Sequence, residues 1–252
     1  MVCNRTCCCL DKRSLPLPLS WERGHLGRYF SGRDTLASRG GVNAYVVLFW
    51  PMMNTIKPIS ILNELKEATW PYHERLEKNM NLLSPGFSRT DYLRLVKAFW
   101  GYYGPLEARI AGVAELKTWL PDLDRRAKLT LLESDLLALG IDGEALEQLP
   151  ICREIPDCTH PAAAFGCLYV LEGATLGGQV IIRHLHKALN LDAHNGAAFF
   201  TGYGEATGAM WQTFRLQLTA AGLDKTIQIR SACETFMTLE RWLGKTDVMP
   251  NK

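Results

Sequence analysis

What this 252-residue chain lacks excludes several function classes at once. Its 28 basic and 26 acidic residues give a net charge of only +2. Seven of the basic and three of the acidic residues fall in 1–52, so 53–252 holds 21 against 23. A segment that balanced has no basic footprint for nucleic acid. Eight cysteines include no C-x-x-C pair: four lie in the first nine residues, and Cys152, Cys158, Cys167 and Cys233 are scattered. That argues against zinc and redox motifs and for reduced thiols in a cytoplasmic protein. The longest apolar run near the N-terminus, AYVVLFWPMM (44–53), is too short to span a bilayer and sits badly for a secretory signal. Alternating apolar strands, a P-loop, a dinucleotide fingerprint and G-x-S-x-G are all missing.

What is present divides near Met53. Residues 1–52 show no helical period, a cysteine triplet and scattered Pro, Gly, Ser and Arg, and read as a disordered or mis-assigned N-terminal extension. A start placed too far upstream and a targeting peptide both remain open. From 53 to 252 the text is helical, with no repeats and no internal linker. Leu62, Leu65, Thr69, Tyr72 and Leu76 form one stripe at 3.6-residue spacing. Thr90 or Asp91 would cap a helix through DYLRLVKAFWGYYGPLEARI, and Asp122 or Asp124 one through RRAKLTLLESDLLALG, which stops at Gly140. Pro161 opens PAAAFGCLYVLEGATLGGQVIIRHLHKALN, since proline is well tolerated in a first turn. The expectation is a single all-α domain of six to eight helices.

Four features could carry chemistry. His73 lies beside the apolar stripe with Glu77 one turn on, an arrangement that suits a metal-ligating imidazole and a carboxylate on its other nitrogen. A half-buried histidine beside a solvated glutamate is the plainer alternative. Gly173, Gly177 and Gly178 stand in a helix interior, where three glycines cost roughly 3 kcal/mol against alanine. Either two helices pack closely there or a flat ligand lies on exposed backbone. Lys66, two turns before His73, and Arg215 could meet a ligand's carboxylates or snorkel over the core. His184 and His186 point to different faces and read as exposed.

Taken together these residues resemble the heme oxygenase family. LKEATWPYH (65–73) is similar to its proximal helix, GATLGGQV (173–180) to its distal motif, FRLQL (214–218) to a later aromatic-Arg segment, and YYGPLE (102–107) to its Tyr-x-x-Leu-Glu segment. The resemblance runs from about 57 to 243. It implies a helical fold with heme, both substrate and prosthetic group, sandwiched between a proximal helix and a kinked glycine-rich distal one. His73 would be the axial iron ligand, Glu77 its hydrogen-bond partner, and Lys66 and Arg215 the propionate contacts. Gly173 and Gly177 would lie over the iron with Gly178 beside them, and Tyr103 would join the distal polar network. The implied reaction cleaves heme to biliverdin, CO and ferrous iron. It uses O2 and electrons from an external donor such as a ferredoxin or flavin reductase. YVLEGATLGGQ looks most like the soluble bacterial enzymes that supply bacteriophytochromes with biliverdin, which implies such an acceptor, with no nucleic acid and no membrane.

The chain departs from the pattern at Ala174 and Leu176, where the family has Asp and Ser. Glu172, Thr175 or Gln179 would have to replace the lost acid's network. A heme carrier or sensor of the same fold therefore stays open beside the enzyme. Trp211 stands where the family often has a second cation. Pro71 removes a backbone hydrogen bond two residues before His73, so a kink or a local helix start is expected there.

Overall fold

The computed structural model describes residues 60–246 and Val248, so the expected division at residue 52 lies outside the described residues. Nine α-helices are present among those described, and no strand. They are α1 (Ile61–Met80), α2 (Arg89–Ala111), α3 (Leu116–Trp119), α4 (Leu129–Ala138), α5 (Gly143–Glu147), α6 (Pro161–Leu189), α7 (Ala198–Thr201), α8 (Thr207–Ala221) and α9 (Lys225–Lys245). Six have ten residues or more and correspond to the periodic segments of the sequence. The other three are single turns, too short for an apolar period to register.

The core is built on α9, which packs against α6, α1 and α2. Small residues bring α6 and α9 together: Ala162, Ala163, Ala164 and Cys167 are buried. A methyl group at Gly166 would sit only 2.2 Å from the Gln228 carbonyl oxygen of α9. Helix α1 runs parallel to α9. Glu64 pairs with Lys225 near one end, and Arg75 and Asn79 with Glu240 near the other. Helix α2 runs antiparallel to α9, its Tyr102 hydroxyl donating to the Thr235 carbonyl and its Ala98 carbonyl accepting from Trp242 Nε1. By length and composition α6 is the one described helix that could cross a membrane. Half of its most apolar window is buried within the fold, which makes it a core helix here.

Local details correct several sequence expectations. Ser88, not Thr90 or Asp91, caps α2; its side chain and that of Asp91 each accept the other's backbone N–H. Neither Asp122 nor Asp124 caps α4, because residues 123–126 form a separate 3-10 turn. The donors at the start of α4 are satisfied instead from α2. Glu107 accepts from Lys128 N at 2.8 Å and from Leu129 N at 3.1 Å. Helix α1 begins ten residues before Pro71 and continues past it, so no new helix starts there. Helix α6 runs unbroken from Pro161 to Leu189 through Gly173, Gly177 and Gly178.

Candidate functional site

Helices α1 and α6 approach each other where Thr69 stands beside Tyr169. Thr69 Oγ1 donates to the Leu65 carbonyl at 2.7 Å. Burial pushes the Tyr169 hydroxyl pKa up, against the smaller opposing effects of Thr69 and of the nearby charge of Arg215. One turn beyond the contact on α1 comes His73; one turn beyond it on α6 comes Gly173. Tyr169 tilts against Trp211 of α8 at 5.6 Å between ring centroids, and Trp211 stacks on Phe214 at 5.7 Å. Side chains of α1, α6 and α8 thus converge on one region.

His73 is 31% exposed. Its ring stacks on Trp70 at 5.9 Å and receives the edge of Phe236 from α9 at 5.8 Å. Nε2 faces Glu77, 3.6 Å from Oε1, an ion-pair distance longer than a hydrogen bond. Nδ1 is buried and has no hydrogen-bond partner among the described residues. Ligation of a metal would satisfy such a nitrogen; Nε2 of His184 on α6 is likewise buried without a partner among the described residues. The imidazole is therefore suited to hold iron through one nitrogen with a carboxylate near the other.

The three glycines prove unlike one another. A methyl group at Gly178 would lie 2.7 Å from the Phe200 carbonyl oxygen, so close approach of α7 accounts for that glycine. At Gly173 a methyl group would touch only the Trp211 ring, at 3.8 Å, and at Gly177 it would meet nothing within 4 Å. Packing thus explains Gly178 and leaves the other two bare. Lys66 is exposed and Arg215 half-buried, and neither has a carboxylate partner among the described residues. Tyr103 is buried in an aromatic group with Phe99 and Phe199, and burial, Glu107 and Glu172 all push its hydroxyl pKa up. Ala174 is exposed. Thr175 donates to its own helix, at the Glu172 carbonyl, and Gln179 Nε2 donates to Thr201 O and Thr207 Oγ1. His186 is exposed as expected, whereas His184 is half-buried with Nε2 out of solvent.

Sequence reasoning missed a charged cluster behind the glycines. Glu172 accepts from Arg126 and Lys128, both at 2.5 Å, and from the Tyr203 hydroxyl at 2.8 Å. A signal for it was available: Glu172 is a lone acid in the apolar run YVLEGA, and a buried carboxylate demands partners. Their identity follows only from the tertiary fold, because Arg126, Lys128 and Tyr203 lie 31 or more residues away.

A family model described as heme oxygenase matches residues 59–243. A heme oxygenase of Xanthomonas campestris pv. campestris is 35% identical over 127 residues, covering 46% of this chain and 72% of that protein. Among solved structures, the NO- and CO-bound heme oxygenase from Neisseria meningitidis superposes with a TM-score of 0.65 at 22% identity, covering 77% of this chain and 95% of its own. The Leptospira interrogans heme oxygenase gives 0.64 at 18% identity, covering 74% and 99%. That of Synechocystis, in complex with heme, gives 0.61 at 17% identity, covering 74% and 91%. The structures share this chain's fold; with the family match spanning nearly all of the described residues, the chain belongs to the heme oxygenase family.

Proposed function

We propose that this chain, as a heme oxygenase, cleaves heme to biliverdin, CO and ferrous iron at a site built on His73. The observation that carries the reading is the buried Nδ1 of that histidine, without a partner among the described residues, on the helix whose Thr69 stands beside Tyr169 of the glycine helix. Bound heme supplies the iron that activates O2 and is itself the molecule oxidised. His73 would hold that iron through one ring nitrogen, and Glu77, 3.6 Å from the other, would bias its tautomer. Gly173 and Gly177 present backbone with no side chain above the ligand, which leaves space for a diatomic molecule. Lys66 and Arg215, without acidic partners among the described residues, meet the propionates, with Arg215 able to bind bidentately. Glu172 lies next to Gly173 with its cationic partners, and Tyr103 is assigned to the distal polar network.

The chain carries no nucleotide-binding motif, so electrons come from a separate donor of the ferredoxin or flavin-reductase kind. The YVLEGATLGGQ resemblance supports delivery of biliverdin to a bacteriophytochrome in the cytoplasm. All these residues fall within 53–252, the segment we assign to the catalytic domain.

The test loads the chain with one equivalent of hemin and adds reductant in air with catalase present. Decay of the Soret band with release of biliverdin is expected, and His73→Ala abolishes both the ligated spectrum and turnover. A stable heme spectrum without biliverdin would instead establish the carrier.

A further inference from the structure

The cluster behind the glycine stretch spends buried charge where an apolar residue would serve stability as well. Glu172 and Arg126 are both fully buried in their side chains, and Lys128 nearly so. Replacing such an ion group by well-packed apolar residues is often neutral or stabilising, so directionality, not net stability, is what it contributes. The directions are specific. Arg126 comes from the 3-10 turn after α3, Lys128 from the entry to α4, and Tyr203 from the loop after α7. Lys128 Nζ also donates to the Arg126 carbonyl at 2.6 Å and to the Tyr203 hydroxyl at 3.1 Å. Arg126 reaches on to Asp122 at 2.7 Å, and its guanidinium lies over the Phe214 ring of α8 at 5.7 Å.

These contacts bear on the bare backbone next door. Successive helical side chains are about 100° apart, so holding Glu172 fixes which way Gly173 faces. Trp211, whose ring lies nearest the Gly173 backbone, is stacked on the same Phe214 that lies under Arg126. One cluster therefore ties the rotation of α6, through hydrogen bonds to Glu172, to the wall of α8, through the Arg126 guanidinium over Phe214.

We propose that Glu172 is a positioning residue. Through Arg126, Lys128 and Tyr203 it sets how the backbone at Gly173 and Gly177 faces the heme, and so determines which meso carbon is oxidised. The selectivity claim rests on the heme reading above; the orientation claim does not.

The test compares wild type, Glu172→Gln and Tyr203→Phe in three measurements: amide hydrogen exchange of the ligand-free chains, hemin spectra, and the isomer composition of released biliverdin. Both variants are expected to retain the His73-dependent Soret band. Exchange at residues 173–178 rises by about tenfold in Glu172→Gln, the loss that a charge-assisted hydrogen bond implies, while amides of α9 stay protected. A second biliverdin isomer appears in both variants. Tyr203→Phe removes a single hydroxyl, leaves both cations paired, and carries the test should Glu172→Gln fail to fold. Unchanged isomer composition in a variant that exchanges faster at 173–178 would overturn the proposal, reducing the cluster to core structure. Unchanged exchange, or exchange raised equally throughout the chain, would overturn it as well. If wild-type hemin binding proves independent of His73, the heme reading fails, while exchange in the ligand-free chain still reports the orientation.

Discussion

Alanine at Gly177 and at Gly178 should have opposite effects on stability, although the two are adjacent on the same helix. Neither glycine has a positive φ, so alanine strains neither backbone. Within a helix, alanine is favoured over glycine by about 1 kcal/mol. At Gly177 a methyl group meets nothing within 4 Å, and that gain is realised in full. For a domain of this size it raises the midpoint of thermal unfolding by about 2–4 °C. At Gly178 the methyl group would lie 2.7 Å from a backbone carbonyl oxygen, so α7 must move away from α6. Overpacking of this kind costs about 1–3 kcal/mol, which cancels or exceeds the propensity gain. Gly177→Ala is therefore more stable without ligand yet binds hemin less well and turns it over more slowly. Gly178→Ala loses stability first, and its hemin binding falls only as far as the fold does. Calorimetry of the ligand-free variants beside hemin titration separates the two. Should Gly177→Ala bind and degrade hemin like the wild type, the bare backbone at 177 has no function and the reading of the glycine face is wrong.

Other consequences follow from single contacts. Gly166→Ala, which forces a methyl group to within 2.2 Å of the Gln228 carbonyl, should lower the thermal midpoint more than any other glycine substitution in α6. Asp135 is buried and accepts from Ala198 N and Phe199 N, and burial raises its pKa to about 6. A carboxyl raised in the folded state favours folding while protonated and loses that advantage as pH climbs through the folded value. From pH 5 to 7.5 its contribution falls by about 1 kcal/mol. Denaturant titrations should show that loss in the wild type and its absence in Asp135→Asn. The Arg75–Glu240 pair is bidentate but partly exposed. Arg75→Ala should cost no more than about 1 kcal/mol, shrinking further at high salt.

The sequence makes the long helices legible, because each carries an apolar stripe wide enough to impose a period. It conveys less where a helix end is satisfied by a distant residue. Glu107 closes the start of α4 from 21 residues away, so a search for a local cap finds Asp122 and Asp124, which have other partners. Of the candidate site, His73 and the glycines are visible from spacing and residue type. The difference between Gly178 and Gly177 is not, since it depends on where the Phe200 backbone passes. Glu172 is visible as an anomaly whose resolution needs three segments brought together. His184 reads as exposed on its own helix and becomes half-buried only through the elements around it.

Helix α6 divides its work along its length. Ala162 to Cys167 are fitted against α9, where even one methyl group at Gly166 is too many, whereas Gly173 and Gly177 further on have space around them. As far as the fold is concerned, the second half apart from Glu172 and Gly178 thus tolerates new side chains that the first half does not. Ala174 and Leu176 sit in that permissive half, and Ala174 is exposed. Such a helix lets the chemistry above the ligand drift over generations without renegotiating the fold that carries it.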